Sequence, residues 1–152
     1  MFSQLTMPAE FNIFFAVLQR FEFALKEEGF LQGAKVDHEV KASWEKFADA
    51  LPAGFFNFIE KSKRATDLLD DPPKKQIWSS MTTRGPLQPI RPNNARELFI
   101  AMRVVRNSLF HGIKADPTTR DQRLVHQSLF VLHEAIKACP QVKERFGAYY
   151  ID

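Results

Sequence analysis

Residues 9–28 read AEFNIFFAVLQRFEFALKEE, and the spacing of their apolar side chains decides the fold class. Phe11, Phe15, Leu18, Glu22 and Leu25 recur at intervals of four, three, four and three, which is one face of an α-helix. Phe14, Val17 and Phe21 widen that stripe, so this helix must be buried on more than one side. Pro8 stands where a first helical turn tolerates proline, and Gly29 and Gly33 read as a stop followed by a loop.

The same period continues outward from this helix. Val36, Val40, Trp44, Phe47 and Leu51 predict a second helix, with Asp37 and Glu39 in its first turn and Pro52 ending it. A third is expected over 55–69, with Phe55, Phe58, Ile59, Ser62 and Leu69 on one side and the basic run 61–64 on or near its solvent face. From 70 to 92 the pattern dissolves, because Pro72, Pro73, Pro86, Pro89 and Pro92, with Gly85, forbid a long helix. This segment carries Lys74, Lys75, Arg84 and Arg91 beside Trp78, and reads either as a solvated connector or as a basic flap over a phosphate-bearing ligand. A fourth helix, capped at Asn93 or Asn94, runs through Leu98, Met102, Val105 and Leu109 to a stop at Gly112. The last long helix begins at Thr119, where Thr119 and Gln122 have capping-box spacing, and buries Val125, Leu129, Leu132 and Ile136 before Pro140. A short amphipathic tail holds Val142, Phe146, Tyr149 and Tyr150. No alternating run is long enough for a strand. The expected fold is therefore all-α, an up-and-down bundle of about five helices in one domain over 1–152, with a long Pro-rich loop at 70–92.

The composition agrees with one well-cored domain: 152 residues, 45% of them hydrophobic and 26% charged. Fifteen phenylalanines need burial, in a core or against a second copy. A net charge of +3 permits a polyanionic partner without demanding one. Cys139 is alone, which excludes an intrachain disulfide and a cysteine-based zinc site. The apolar run 11–18 is too short to span a bilayer and lacks a basic leader, so a soluble, cytoplasmic protein without membrane association is expected. Phosphate-binding glycine loops, a GxSxG elbow and HExxH are all missing, and His38, His111, His126 and His133 do not have zinc spacing. Neither a metal nor a cofactor is expected.

Chemistry concentrates at the end of the fourth helix, Arg103-Val104-Val105-Arg106-Asn107-Ser108-Leu109-Phe110-His111-Gly112. Asn107 and His111 are one turn apart. Arg106 and His111 are five residues apart, roughly 140° around a regular helix. They converge on one ligand only if the last turn unwinds at Gly112 or a second subunit completes the site. Read singly, Arg106 could simply pair with a carboxylate, His111 could cap the helix and Asn107 could be surface. Glu22 interrupts an apolar stripe between Phe21 and Phe23, and if buried it needs Arg103 or Arg106; a surface pair with Lys26 is the alternative.

The run Arg106-Asn107-x-x-Phe110-His111-Gly112, in a small helical domain, resembles the signature of the HEPN family. The likeness covers the helical layout of most of the chain, and its sharp part is these few residues. HEPN members are typically homodimers whose Arg-His sets face one another, and active members are metal-independent endoribonucleases. The resemblance implies that Arg106 holds the scissile phosphate, His111 is the general acid/base and Asn107 orients either of them. It further implies attack by the RNA 2′-hydroxyl, with Arg103 and Lys114 as RNA contacts and Glu22 in support. The expected function is a dimeric RNase, a toxin or defence effector with an antitoxin or regulator. The alternative is a non-catalytic HEPN-like dimer that binds RNA, a nucleotide or a protein, and a helical interaction protein with an incidental motif is a third. One departure weakens the toxin branch regulated by nucleotidyltransfer: the tyrosine two places after its histidine is Ile113 here.

Overall fold

The helix expected over 9–28 forms in the computed structural model, which describes residues 8–33, 35–73, 77–78, 83–84, 90–110 and 118–149. This helix, α1 (Ala9–Glu27), buries Phe11, Phe14, Leu18, Phe21 and Leu25, while Phe15 and Val17 are partly covered at the margin. Gly29, at φ 81°, ends it in the left-handed region where glycine has no Cβ penalty.

The second helix is shorter than its pattern suggests. α2 spans Trp44–Ala50, and Ser43 caps it by accepting a hydrogen bond from the Lys46 amide at 3.1 Å. Val36 and Val40, read as its first two core positions, are 88% and 46% exposed. The backbone before Ser43 is occupied otherwise: Leu31 bridges Ala42 antiparallel, and the Ser43 amide donates to the Phe30 carbonyl. Those extended pairings take the groups that a helix over 36–43 would need.

The helix expected over 55–69 is two, α3 (Phe55–Ser62) and α4 (Thr66–Asp70). Ser62 supplies the reason: its hydroxyl donates to the Ile59 carbonyl and accepts from the Arg64 amide, an alternative to the helical ladder. Lys63 then takes a left-handed φ of 59°. Phe58, placed on the buried side by its spacing, is 52% exposed.

Within 70–92 the described backbone holds two two-residue strands, β1 (Ile77–Trp78) and β2 (Thr83–Arg84), paired antiparallel with Ile77 opposite Arg84. Arg91 joins the ends of this segment, pairing with Glu60 at 2.9 Å and with Asp70 at 3.1 Å. α5 (Ala95–Phe110) starts at Asn94, whose side chain accepts from the Glu97 amide while Glu97 accepts from the Asn93 amide. α6 (Thr119–Ala138) carries its capping box one residue earlier than expected, between Thr118 and Asp121. Leu129, expected in the core of α6, is only partly buried. The tail is α7 (Pro140–Phe146) and a 3-10 turn (Gly147–Tyr149), with Val142 and Phe146 buried.

The chain is therefore mostly helical, as expected, but the described residues form seven α-helices rather than about five. α6 is central and packs against α1, α3, α4, α5 and α7. The phenylalanine excess goes into an aromatic core shared by α1, α2 and α5. Phe21 lies 4.8 Å from Trp44 and 5.1 Å from Phe47, and Phe47 is 5.8 Å from Phe99, centroid to centroid.

Gln127 fastens α4 to α6. Its Oε1 accepts from the Asp67 and Leu68 amides, and its Nε2 donates to Asp67, so a buried side chain from a distant helix does the work of an N-cap. Gln127→Met is expected to lower stability by about 2 kcal/mol, because two buried amides lose their acceptor. Urea denaturation followed by circular dichroism measures this, and an unchanged midpoint would show that those amides find other partners.

Candidate functional site

Helical spacing brings Glu22 on α1 alongside Trp44 on α2 and Arg106 on α5. One carboxylate oxygen serves both donors: Glu22 Oε1 accepts from Arg106 Nη1 at 2.9 Å and from Trp44 Nε1 at 3.2 Å. Arg106 Nε donates to Asn107 Oδ1 at 3.3 Å, so the guanidinium is held from two sides. The Arg106 and Glu22 side chains are 27% and 33% exposed, which removes much of the water that weakens a surface ion pair.

Arg103, one turn earlier on α5, is arranged differently. Its guanidinium carbon lies 6.0 Å from the center of the Trp44 ring. Its Nε is buried and has no hydrogen-bond partner among the described residues. Burial pushes the Arg103 pKa below its ordinary value; the neighbouring Arg106 charge adds to the effect and Glu22 opposes it. Two arginines share one carboxylate, and Arg106 takes the bond. A groove of about 400 Å³ between α2 and α5 adjoins this point, lined by Gln32, Trp44, Ile100 and Arg103 among others. The acids on its rim are already engaged: Glu45 with Arg96 at 2.5 Å, and Glu97 with the Asn93 amide at 2.6 Å. Glu22 is thus one carboxylate facing two arginines, and among the described residues Arg103 holds no carboxylate of its own.

Of the residues singled out by sequence, the structure brings together Glu22, Arg103, Arg106 and Asn107. Glu22 pairs with Arg106, one of the two arginines expected for it, rather than with Lys26. The ladder of α5 runs to Phe110, so Arg106 and Asn107 sit within intact helix. His111 and Lys114, with Gly112 and Ile113, lie outside the described residues. Trp44 escaped the sequence reading because its spacing placed it in the core; the signal was its indole N–H, a donor that needs an acceptor wherever the ring is buried. His126 pairs with Glu10 at 2.9 Å, and His133 lies 3.5 Å from Glu134. Among the described residues no three His, Cys, Asp or Glu side chains gather as a metal site requires, and no helix is long and apolar enough to cross a membrane. Comparison with family models, with curated proteins and with solved structures finds no match.

The unequal settings of the two arginines predict opposite responses. Glu22→Ala is expected to cost about 1–2 kcal/mol, because it strands the Arg106 charge and the Trp44 N–H together. Arg103→Met is expected to raise stability by about 1 kcal/mol, since a desolvated cation with an unsatisfied Nε gives way to an apolar side chain of similar length. Thermal melts of both variants decide it; a destabilised Arg103→Met protein would mean that Arg103 is satisfied in solution.

Proposed function

We propose that this chain is a metal-independent endoribonuclease of the HEPN type, acting as a homodimer. The observation that carries the proposal is Arg103 at the α1–α2–α5 junction, a half-buried guanidinium with no carboxylate partner among the described residues, on the same helix as the Arg106-Asn107-x-x-Phe110-His111 run. An unanswered guanidinium beside a second one that is held in place suits a phosphodiester, whose charge grows as the phosphorus becomes five-coordinate. In this reading Arg106 grips the phosphate with the guanidinium edge not used by Glu22 and Asn107. Arg103 and Lys114 hold the strand nearby.

The reaction needs a base and an acid. The histidine of one subunit takes the proton of the 2′-hydroxyl, whose oxygen attacks the phosphorus. The histidine of the other gives a proton to the departing 5′-oxygen, leaving a 2′,3′-cyclic phosphate and a 5′-hydroxyl. A dimer supplies the second His111. The groove side of α5 offers an apolar contact for such pairing, because Ile100 there is 54% exposed beside exposed Arg96 and Asn107. The role of toxin or defence effector, and an antitoxin or regulator to restrain it, belong to the same reading.

A second reading has its own observation. Arg106 is already neutralised by Glu22, which is how a guanidinium is held when it organises a site rather than reacts in it. That favours a non-catalytic HEPN-like dimer that binds RNA or a nucleotide.

Cleavage of a labelled RNA separates the two. On the first reading, activity persists in EDTA and spares DNA of the same sequence. His111→Ala then lowers the rate by ~10²–10⁴, the usual worth of a proton-transfer group. Arg106→Lys falls almost as far, because an ammonium cannot reproduce a bidentate grip while still answering Glu22. Binding without cleavage by the unmodified chain selects the second reading. Folded variants that cleave at the unmodified rate would sink the first.

For assembly, sedimentation at tens of micromolar is expected to give a dimer, and Ile100→Glu a monomer. A monomeric unmodified chain would remove the shared active site.

A further inference from the structure

The basic run 61–64 finds no use in the site above, and the break between α3 and α4 gives it one. The left-handed turn at Lys63 puts Lys63 and Arg64, both exposed, at the corner where α3 ends. There they face the first turns of α6 across a groove of about 430 Å³, lined also by Thr119, Gln122, Arg123 and His126. Arg91, Arg96, Arg106, Arg120, Arg123 and Arg145 each hold a carboxylate. Arg64 holds none among the described residues. Its guanidinium carbon instead lies 4.2 Å from the center of the Phe130 ring, a packing that fixes the plane and leaves the N–H edge open. Two acids contact the groove's lining residues: Asp67 pairs with Arg123 and accepts from Gln127, and Glu10 lies 2.9 Å from His126. Lys63 and Arg64 thus pair with no carboxylate among the described residues, and Thr119 and Gln122 add polar groups to the lining of the same groove.

We infer that this groove binds the sugar–phosphate backbone of an RNA strand through Lys63 and Arg64, as a second holding point away from Arg106. The inference deepens the RNA reading above and rests on it for the ligand class, though not for cleavage. Contacts of this kind grip phosphate without reading bases or the 2′ position. They carry a salt-dependence signature, about 0.7 in the slope of log affinity against log salt for each phosphate neutralised on a single strand.

The test is fluorescence anisotropy of a 2′-O-methyl oligonucleotide of ~20 nucleotides, long enough to span more than one contact and without the hydroxyl needed for cleavage, titrated at several salt concentrations. Lys63→Ala combined with Arg64→Ala is expected to weaken binding about tenfold and lower the salt slope by about 1.4, two phosphate contacts. DNA of the same sequence should respond alike. Lys137→Ala, which removes an exposed charge elsewhere, should leave affinity near that of the unmodified chain, and circular dichroism checks that each variant is folded. An unchanged affinity and slope in the double variant would overturn the inference. So would an equal loss in Lys137→Ala, or a mononucleotide binding as tightly as the strand. An unmodified chain that binds the oligonucleotide through this groove but cleaves no RNA leaves the groove assignment standing and removes only the nuclease.

Discussion

A carboxylate set into an aromatic helix has to be answered from outside that helix, and the answer to Glu22 fixes how three helices meet. Trp44 from α2 and Arg106 from α5 both donate to the same Glu22 oxygen. The aromatic contacts beneath, Phe21 on Trp44 and Phe47 on Phe99, are broad and non-directional and would tolerate small sliding. The shared oxygen does not tolerate it, because a shift of an ångström breaks one bond or the other. Burial supplies most of the cohesion and this one atom supplies the register.

That arrangement has an electrostatic remainder. Two arginines on adjacent turns of α5 approach a single acid, so Arg103 is left desolvated with no carboxylate of its own among the described residues. Proteins hold unfavourable groups of this kind where a ligand later makes them favourable, and the proposed phosphate contact is such a ligand. The groove at Lys63 and Arg64 repeats the theme without desolvation: both sites set an arginine against an aromatic ring and leave its charge unspent.

Where period alone decides, the sequence can be read directly. The long helices α1, α5 and α6 stand out because apolar residues recur over sixteen positions or more. Period fails where a polar side chain competes locally with the backbone. Ser62 diverts the helix at 62–64, and the pairing of Leu31 with Ala42 claims the chain that Val36 and Val40 suggested was helical. The capping box moved by one residue because Thr118 and Thr119 are both competent caps, and Asp121 lies three residues from the first of them. At the site, the need of Glu22 for a cation was legible from its apolar flanks. That Trp44 would share the acceptor was not, since spacing records which face a residue occupies and not where its one polar atom points.

Arg91 bears on how much the chain between α4 and α5 can change. It pairs with Glu60 and Asp70 and donates a third hydrogen bond to the adjacent Pro92 carbonyl, so the two ends of the 70–92 stretch are clasped together. Once the ends of a loop are fixed, its length enters only logarithmically, at about 0.6 kcal/mol for each doubling. The stretch can therefore lengthen, shorten or take up a foreign insert with small thermodynamic consequence, provided the clasp is kept. In a lineage of such chains this is where new segments would accumulate fastest, and in the laboratory it is a natural place to graft a tag or reporter.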